Sequence, residues 1–274
     1  MKLLYFISDI LYFLAYYVFR YRRKVVRKNL LNSFPDKDLK EIVKVEKKFY
    51  AFFCDYVVET SKLCFISEKE IKKRITFDGM EQVMQTMGND KSCVLYLGHY
   101  GNWEWVSSIP LHVNKNIHCG QIYHPLENKM FDKLFLKMRK KFGAENITMK
   151  DTLRRLITLR REDKQFMVGF IADQVPVWNA IRHWLNFMNQ DTPVFSGTER
   201  IARQMQSVAY YLDITRPKRG YYHCKFVLMT AEPQNLPEFE LTDMYFQLLE
   251  QTIKRNPQYW LWTHNRWKRQ RNNG

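Results

Sequence analysis

Cysteine is scarce and without pattern in this chain. The five cysteines are odd in number and widely spaced, and no Cys-x-x-Cys pair occurs among Cys54, Cys64, Cys93, Cys119 and Cys224. This usage indicates neither a disulfide framework nor a zinc site, and it suits a reducing compartment.

The sequence also lacks the composition of a flexible linker. It has 10 glycines and 9 prolines, no tract rich in Pro, Gly or Ser, no internal repeat and no low-complexity segment. With 274 residues, 46% of them hydrophobic, the chain can form one large α/β domain or two small ones with a full core.

Acidic residues are the scarcer charge. There are 28 Asp and Glu against 44 Lys and Arg, which gives a net charge of +16. Such a surplus implies an anionic partner, and nucleic acid, acidic lipid head groups or an acidic carrier protein all qualify. The 19 Phe, 16 Tyr and 7 Trp leave open a basic protein that stacks nucleic-acid bases. We expect no nucleic-acid partner, because no nucleic-acid motif is present and basic residues cluster near both ends of the chain.

The N-terminal apolar stretch is short and interrupted. Residues 3–19 are apolar and aromatic, broken mainly by Ser8 and Asp9, and a transmembrane helix needs about 17–25 residues. A basic block follows at once: Arg20, Arg22, Arg23, Lys24, Arg27 and Lys28. The positive-inside rule places this block in the cytoplasm, and its position after the apolar run disfavours a cleavable signal peptide. We predict a membrane-associated helix, either a short span or an element lying in the interface; a buried soluble helix is the alternative.

Helical and strand patterns alternate along the rest of the chain. Helical periodicity covers 38–65, 130–142, 152–161, 198–206 and 241–255, and apolar runs typical of strands cover 93–97, 117–122 and 166–172. The runs 208–215 and 221–230 flank Pro-Lys-Arg-Gly, which indicates a hairpin. The alternation predicts an α/β fold with a mixed central sheet flanked by helices.

The most informative stretch is 98–104, Gly-His-Tyr-Gly-Asn-Trp-Glu. His99 follows the predicted strand 93–97, and active sites of open α/β sheets lie at such strand ends. We expect a helix from Trp103, with Glu104 in its first turn contacting the imidazole and fixing its tautomer. No activated serine or cysteine accompanies the pair, so the expected nucleophile is a substrate hydroxyl. The alternative is a core histidine beside a Glu at a helix N-terminus.

This stretch resembles the His-x-x-x-x-Asp/Glu motif of glycerolipid and lysophospholipid acyltransferases, in the form found in the lipid A late acyltransferases. Four further blocks resemble the same family in the right order. They are Tyr-Arg-Arg…Asn-Leu…Ser-Phe-Pro over 21–35, Ile-Tyr-His-Pro-Leu over 122–126, Asp-Gln at 173–174, and Pro-x-x-Trp-x-Trp-x-His-x-Arg-Trp-Lys over 257–268.

The resemblance implies a glycerolipid acyltransferase-like fold and a specific reaction. The enzyme would move a fatty acyl chain from an acyl-carrier-protein thioester to a hydroxyl of a lipid A precursor, without metal or organic cofactor. It would act at the cytoplasmic face of the bacterial inner membrane. An aminolipid or lysophospholipid acceptor is the alternative within the enzyme class. Residues 1–28 would form the membrane-associated segment, and 29–274 the acyltransferase domain.

Two segments depart from the family pattern. His124 stands where the family usually has an arginine, so a permanent cation becomes a group that titrates near neutrality. Phe187-Met188-Asn189 stands where the family tends to have Phe-Phe-Gly. Because Asn tolerates the left-handed backbone nearly as Gly does, we expect the turn to survive. These departures concern substrate choice more than reaction type.

The residues with expected roles are few. We predict His99 as the general base and Glu104 as the carboxylate that orients it. Candidate oxyanion donors are Asn102 and the backbone N–H groups of 98–101. Predicted substrate-binding residues are Asn102, His124, Arg139 and Asp173, where Asp173 would hold a cation or a polar substrate group unless it caps a helix. The indoles and cations of 260–268 suit a phosphorylated lipid at an interface, or else form a packed tail.

Overall fold

A seven-stranded mixed sheet lies at the centre of the protein. The computed structural model describes residues 1–271. Within them the strands are β1 (Ile75–Asp78), β2 (Cys93–Leu97), β3 (His118–Tyr123), β4 (Glu145–Thr148), β5 (Phe166–Ile171), β6 (His183–Phe187), β7 (Gln190–Val194), β8 (Val208–Lys218) and β9 (Tyr221–Thr230). The sheet order is β1-β9-β8-β2-β5-β3-β4, and β6 with β7 forms a separate hairpin. The predicted mixed sheet is confirmed.

Helices cover the sheet. They are α1 (Lys2–Phe13), α2 (Arg23–Ser33), α3 (Leu39–Lys62), α4 (Glu68–Arg74), α5 (Met80–Met87), α6 (Lys129–Lys140), α7 (Thr152–Arg161), α8 (Gly197–Met205) and α9 (Glu240–Arg255). The side chains of β2 point alternately toward helices on the two sides of the sheet. Tyr96 contacts the ring of Tyr245 in α9 at 5.1 Å, whereas Leu95 and Leu97 face a 3-10 helix, Trp103–Leu111.

The parallel strands place their carboxyl ends at one edge of the sheet. β2 pairs in parallel with β5 and β8, and β5 pairs in parallel with β3. The segments that follow β2, β3 and β5 therefore meet at this edge, as expected for the ligand-binding side of an open α/β sheet.

The N-terminal helix packs against the longest helix. α1 continues into a π-helical turn, Leu14–Val18, and Tyr16 contacts the ring of Tyr50 in α3 at 5.3 Å. α3 begins at Leu39 because Asp38 accepts from the Glu41 N–H while the Glu41 carboxylate accepts from the Asp38 N–H, a reciprocal cap. In residues 1–271, no single helix is long and apolar enough to cross a membrane. The helices Lys2–Val18 and Arg23–Ser33, which are bent by 86° relative to each other, are together long and apolar enough.

The expected turn between β6 and β7 is present. Met188 and Asn189 have φ of 53° and 61°, so both adopt the left-handed conformation. Two such residues form the turn type that matches the twist of a two-residue hairpin. The prediction that asparagine replaces glycine without loss of this turn is confirmed.

Candidate active site

His99 lies at the carboxyl edge of the sheet, directly after β2 and Gly98. Gly98 allows a close approach of the chain to α9, because a Cβ at this position would lie 2.5 Å from Leu249 Cδ1. The catalytic loop, defined as residues 98–102, is also paired with the C-terminal segment. The Gly101 N–H donates to the Tyr259 carbonyl at 2.9 Å, and the Leu261 N–H donates to the His99 carbonyl at 3.0 Å.

The carboxylate that binds His99 is Asp173, in the segment after β5. Asp173 Oδ1 lies 2.5 Å from His99 Nδ1, and Asp173 Oδ2 accepts from the His99 backbone N–H at 2.9 Å. The Trp260 indole also donates to Oδ2, at 2.8 Å. Asp173 is 2% exposed, so this set of donors is what compensates the burial of its charge.

These contacts fix the tautomer of His99. Burial raises the pKa of Asp173, but the charge of His99 and hydrogen bonds from His99 and Trp260 outweigh it and lower the pKa to about 2. An ionised carboxylate only accepts hydrogen bonds, so His99 Nδ1 carries a proton. When the ring is neutral, Nε2 is therefore the acceptor, and the Gln174 amide nitrogen lies 3.2 Å from it.

The expected contact between Glu104 and His99 is wrong. Glu104 forms a bidentate ion pair with Arg139 of α6, with Nε–Oε2 and Nη2–Oε1 distances of 2.7 and 2.6 Å. The physical reason is that Glu104 lies in the first turn of a 3-10 helix that packs against α6, and the chain after β5 brings a different carboxylate to the imidazole. The catalytic roles of His99 and Glu104 stay predictions.

Asn102 is a structural residue in this arrangement. Its side chain is fully buried; Oδ1 accepts from the Trp105 N–H at 3.3 Å and Nδ2 donates to Glu59 at 3.1 Å. The side chain therefore caps the 3-10 helix and binds Glu59. Its predicted contact with substrate or oxyanion stays a prediction. The N–H groups of His99 and Gly101 are likewise already donated, to Asp173 and Tyr259.

An apolar cavity of about 60 Å³ lies beside the ion pair. Leu95 and Leu97 of β2 and Met167 and Ile171 of β5 contribute aliphatic walls, and Gly169 adds no side chain between them. Glu104 and Arg139 lie at its wall.

Aromatic rings connect His99 to the cavity. Trp103, which also lines the cavity, meets the His99 ring edge-on at 5.1 Å between centroids. The ring of Tyr56 in α3 stacks on the Trp103 ring, with 4.2 Å between the two centroids. In the candidate site, the histidine that binds Asp173 therefore lies next to the apolar cavity, with Trp103 in contact with both.

The remaining predicted residues have different positions. Asp173 does not cap a helix but binds His99. Its predicted contact with a cation or a polar substrate group stays a prediction. Arg139 lines the cavity, so its predicted substrate contact stays a prediction. His124 is exposed after β3, at the same edge of the sheet, with its Nδ1 2.9 Å from the Pro125 carbonyl. Its role in substrate binding also stays a prediction.

The C-terminal Trp-rich block is largely internal. Trp260, Trp262 and Arg266 are buried, and Arg266 donates to the Pro193 carbonyl at 2.6 Å. Of the two interpretations of 260–268, a lipid-binding segment or a packed tail, the packed tail is therefore correct for these three residues. Sequence reasoning missed Gln174 as a neighbour of the histidine and Trp260 as a donor to Asp173, although both belong to blocks that resemble the family.

The fold and the histidine–carboxylate couple define an α/β protein with a candidate active site at the edge of a parallel sheet. The chain belongs to the bacterial lipid A biosynthesis acyltransferase family, which matches residues 2–269. It is therefore an acyltransferase, as the sequence motifs indicated. A comparison with curated proteins finds no match.

Proposed function

We propose that this acyltransferase moves an acyl chain from an acyl-carrier-protein thioester to a hydroxyl of a lipid A precursor, with His99 as the general base. The observation that carries the proposal is the His99–Asp173 couple beside an apolar cavity at the carboxyl edge of the sheet. An alcohol is a poor nucleophile at neutral pH, so its proton must be removed as it attacks.

The proposed chemistry begins when the acceptor hydroxyl replaces Gln174 at His99 Nε2. Nε2 accepts the proton while the hydroxyl oxygen bonds to the thioester carbon, and Asp173 stabilises the imidazolium that forms. The resulting tetrahedral intermediate breaks its C–S bond, the thiolate leaves, and the imidazolium returns the proton to it. The products are an ester and a free thiol, and the histidine is regenerated.

The cavity supports the binding of the acyl chain. Its aliphatic walls exclude water from methylene groups, and each buried methylene contributes about 0.8 kcal/mol. Arg139 stands at the same wall with its charge fixed by Glu104. We assign this guanidinium to stabilising the oxyanion of the intermediate, because charge placed in advance costs no reorganisation. Glu104 then acts through Arg139 and not through His99.

The charge of α6 supports an acidic donor. Lys129, Lys133 and Lys137 recur at intervals of four residues, so they share one face of the helix, and all are exposed. The same helix places Arg139 at the cavity. An acidic carrier protein that docked on these lysines would deliver its thioester near the cavity mouth.

The exposed face of α1 supports a location at the inner membrane, on the cytoplasmic side. Leu3, Phe6, Phe13 and Phe19 are each more than half exposed, and six basic residues follow between 20 and 28. An apolar face followed by a basic block is typical of an element that lies in the interface of an anionic membrane. We propose this interfacial position in place of a span.

The test is acyl transfer by purified enzyme in detergent micelles, with acyl-carrier protein or acyl-coenzyme A as donor and a lipid A precursor or a lysophospholipid as acceptor. We expect transfer from the carrier protein to the lipid A precursor, and a loss of about 10²–10⁴ in kcat for His99→Ala. Salt should raise KM for the carrier protein more than it lowers kcat, because exposed charges are screened.

Three results would overturn the proposal. A folded His99→Ala enzyme with near-normal kcat would remove the histidine from the chemistry. Equal use of acyl-coenzyme A without any salt effect, or preference for a lysophospholipid, would reject the donor or the acceptor respectively.

A further inference from the structure

We propose that Glu59 is the positioning residue of the catalytic loop, and that its bond to Tyr5 makes the N-terminal helix part of the active-site framework. The proposal rests on the proposed reaction at His99. It gives α1 a role in catalysis that is separate from any contact with a membrane.

Glu59 joins three parts of the fold at one carboxylate. It is fully buried in α3. Oε2 accepts from Asn102 Nδ2 at 3.1 Å and from the Tyr222 hydroxyl at 2.6 Å, and Oε1 accepts from the Tyr5 hydroxyl at 3.0 Å. Arg216 Nη2 lies 3.3 Å from Oε1 and compensates the charge.

The contacts toward the active site hold both ends of a short segment. The Glu59 side chain binds Asn102, the last residue of the catalytic loop, and the Glu59 carbonyl accepts from the Trp105 indole at 3.1 Å. Between these anchors lie Trp103, whose ring contacts His99, and Glu104, which binds Arg139. A shift of Glu59 would therefore displace Trp103 and Glu104, which both line the cavity.

The contacts toward the N-terminus form a buried ionic cluster. Ser8 of α1 donates to Asp55 at 2.7 Å, one turn before Glu59 in α3. Arg216 and Arg219 of the β8–β9 hairpin also bind Asp55, at 2.7 and 2.6 Å. Ser8, Asp55 and Arg216 are the buried members of this cluster and have no water to replace a lost partner, so their positions are interdependent.

The chain offers a matched control for Glu59. Glu46 is also a fully buried glutamate of α3, and it is paired with Arg23 and Arg27. No hydrogen bond joins Glu46 to the catalytic loop in residues 1–271. Glu59→Gln and Glu46→Gln each remove one buried charge from the same helix, and they differ in what the carboxylate holds.

The first experiment measures kcat, KM, thermal midpoint and hydrogen–deuterium exchange over 98–111 for both variants in detergent. We expect Glu59→Gln to lower kcat about tenfold, since small displacements of reacting groups cost rate steeply, with KM little changed and faster exchange over 98–111. Glu46→Gln should lower the thermal midpoint and leave kcat and the exchange of this segment as in the wild type.

The second experiment reverses the hydrogen bond. Asn102→Asp alone places the new carboxylate against the carboxylate of Glu59, so neither side chain can donate. The cap on the Trp105 N–H is retained, because Asp caps a helix as well as Asn does. In the double variant Glu59→Gln/Asn102→Asp, the glutamine amide donates to the new carboxylate. We expect the single variant to lose kcat and the double variant to regain most of it. Tyr5→Phe should lower kcat two- to fivefold in detergent, where no bilayer is present.

The outcomes separate this proposal from the proposed function. Wild-type kcat and unchanged exchange in Glu59→Gln, or equal losses of kcat in Glu59→Gln and Glu46→Gln, would overturn the positioning role. A double variant no better than Asn102→Asp would also overturn it. An unaffected Tyr5→Phe enzyme would reject the contribution of α1. By contrast, a failure of His99→Ala to reduce transfer overturns the reaction, and the exchange measurement still tests Glu59.

Discussion

Asp173 is the residue with the most consequence for the chemistry. It makes three hydrogen bonds from a buried position, two to His99 and one to Trp260. It therefore holds both the backbone and the ring of the proposed base. Glu104, the carboxylate of the recognised motif, is engaged by Arg139 instead.

Replacing Asp173 with asparagine tests which carboxylate serves the histidine. We expect Asp173→Asn to lower kcat by about 10²–10⁴, because the imidazolium loses its counter-charge and the amide can donate to Nδ1 and impose the wrong tautomer. KM should change little. Transfer kinetics over a range of pH are the measurement.

Glu104→Gln is the comparison for this prediction. It leaves the bonds of His99 to Asp173 unchanged but removes the charge that fixes Arg139. If Glu104→Gln abolished transfer while Asp173→Asn remained near-normal, Glu104 would be the carboxylate that serves His99 during turnover.

At the scale of the element, α1 has two faces with different neighbours. Tyr5 and Ser8 face α3 and donate to Glu59 and Asp55, and Tyr16 of the following π-helical turn contacts the ring of Tyr50. Phe6 and Phe13 point away from the protein and are 63% and 56% exposed. Large apolar side chains that share an exposed face indicate a contact surface.

We expect Phe6→Ser/Phe13→Ser to weaken binding to vesicles that contain anionic lipid by more than tenfold. Burying one phenylalanine contributes about 1.5–3 kcal/mol, and tenfold in binding corresponds to about 1.4 kcal/mol. Vesicle sedimentation measures the change. Substitution of the exposed Phe65, which follows α3, provides the control for general loss of surface hydrophobicity. Unchanged sedimentation of the α1 variant would reject the interfacial position.

At the scale of the whole molecule, the C-terminal segment closes the structure over the sheet edge. His264 Nε2 accepts from the Val175 N–H at 3.3 Å, and the His264 carbonyl accepts from Asn29 of α2 at 3.0 Å. Burial, together with the nearby charge of Arg266, lowers the pKa of His264 to about 4, although the charge of Asp173 acts in the opposite direction.

This lowered pKa predicts a loss of stability in mild acid. Below pH 6.5 the unfolded chain protonates His264 while the folded protein does not, so the unfolded state binds more protons and the free energy of unfolding falls. Between pH 7.5 and 5 the loss from this residue is about 2 kcal/mol. His264→Gln should flatten the pH dependence by that amount in denaturant titrations. A slope in His264→Gln as steep as that of the wild type would show that other groups control acid stability.

The sequence by itself determined the alternation of elements and the location of the histidine. The predicted bounds of β2 and α7 are confirmed, and those of β5, α8 and α9 differ by one residue at one or both ends. These elements are long or strongly apolar, so periodicity within a few residues is sufficient to define them. The short strands β1, β4, β6 and β7 were missed, because four or five residues of mixed polarity carry little periodic signal.

Tertiary structure alone decided which side chains meet at the site. His99 and Asp173 are 74 residues apart, and they meet because β2 and β5 are parallel neighbours in the sheet. No local pattern encodes strand order, so the nearer Glu104 was the natural but incorrect partner. The same reason explains Glu59, 43 residues before Asn102, and the burial of Trp260 and Trp262. The residue types were evident from the sequence, whereas their partners depended on packing between distant segments.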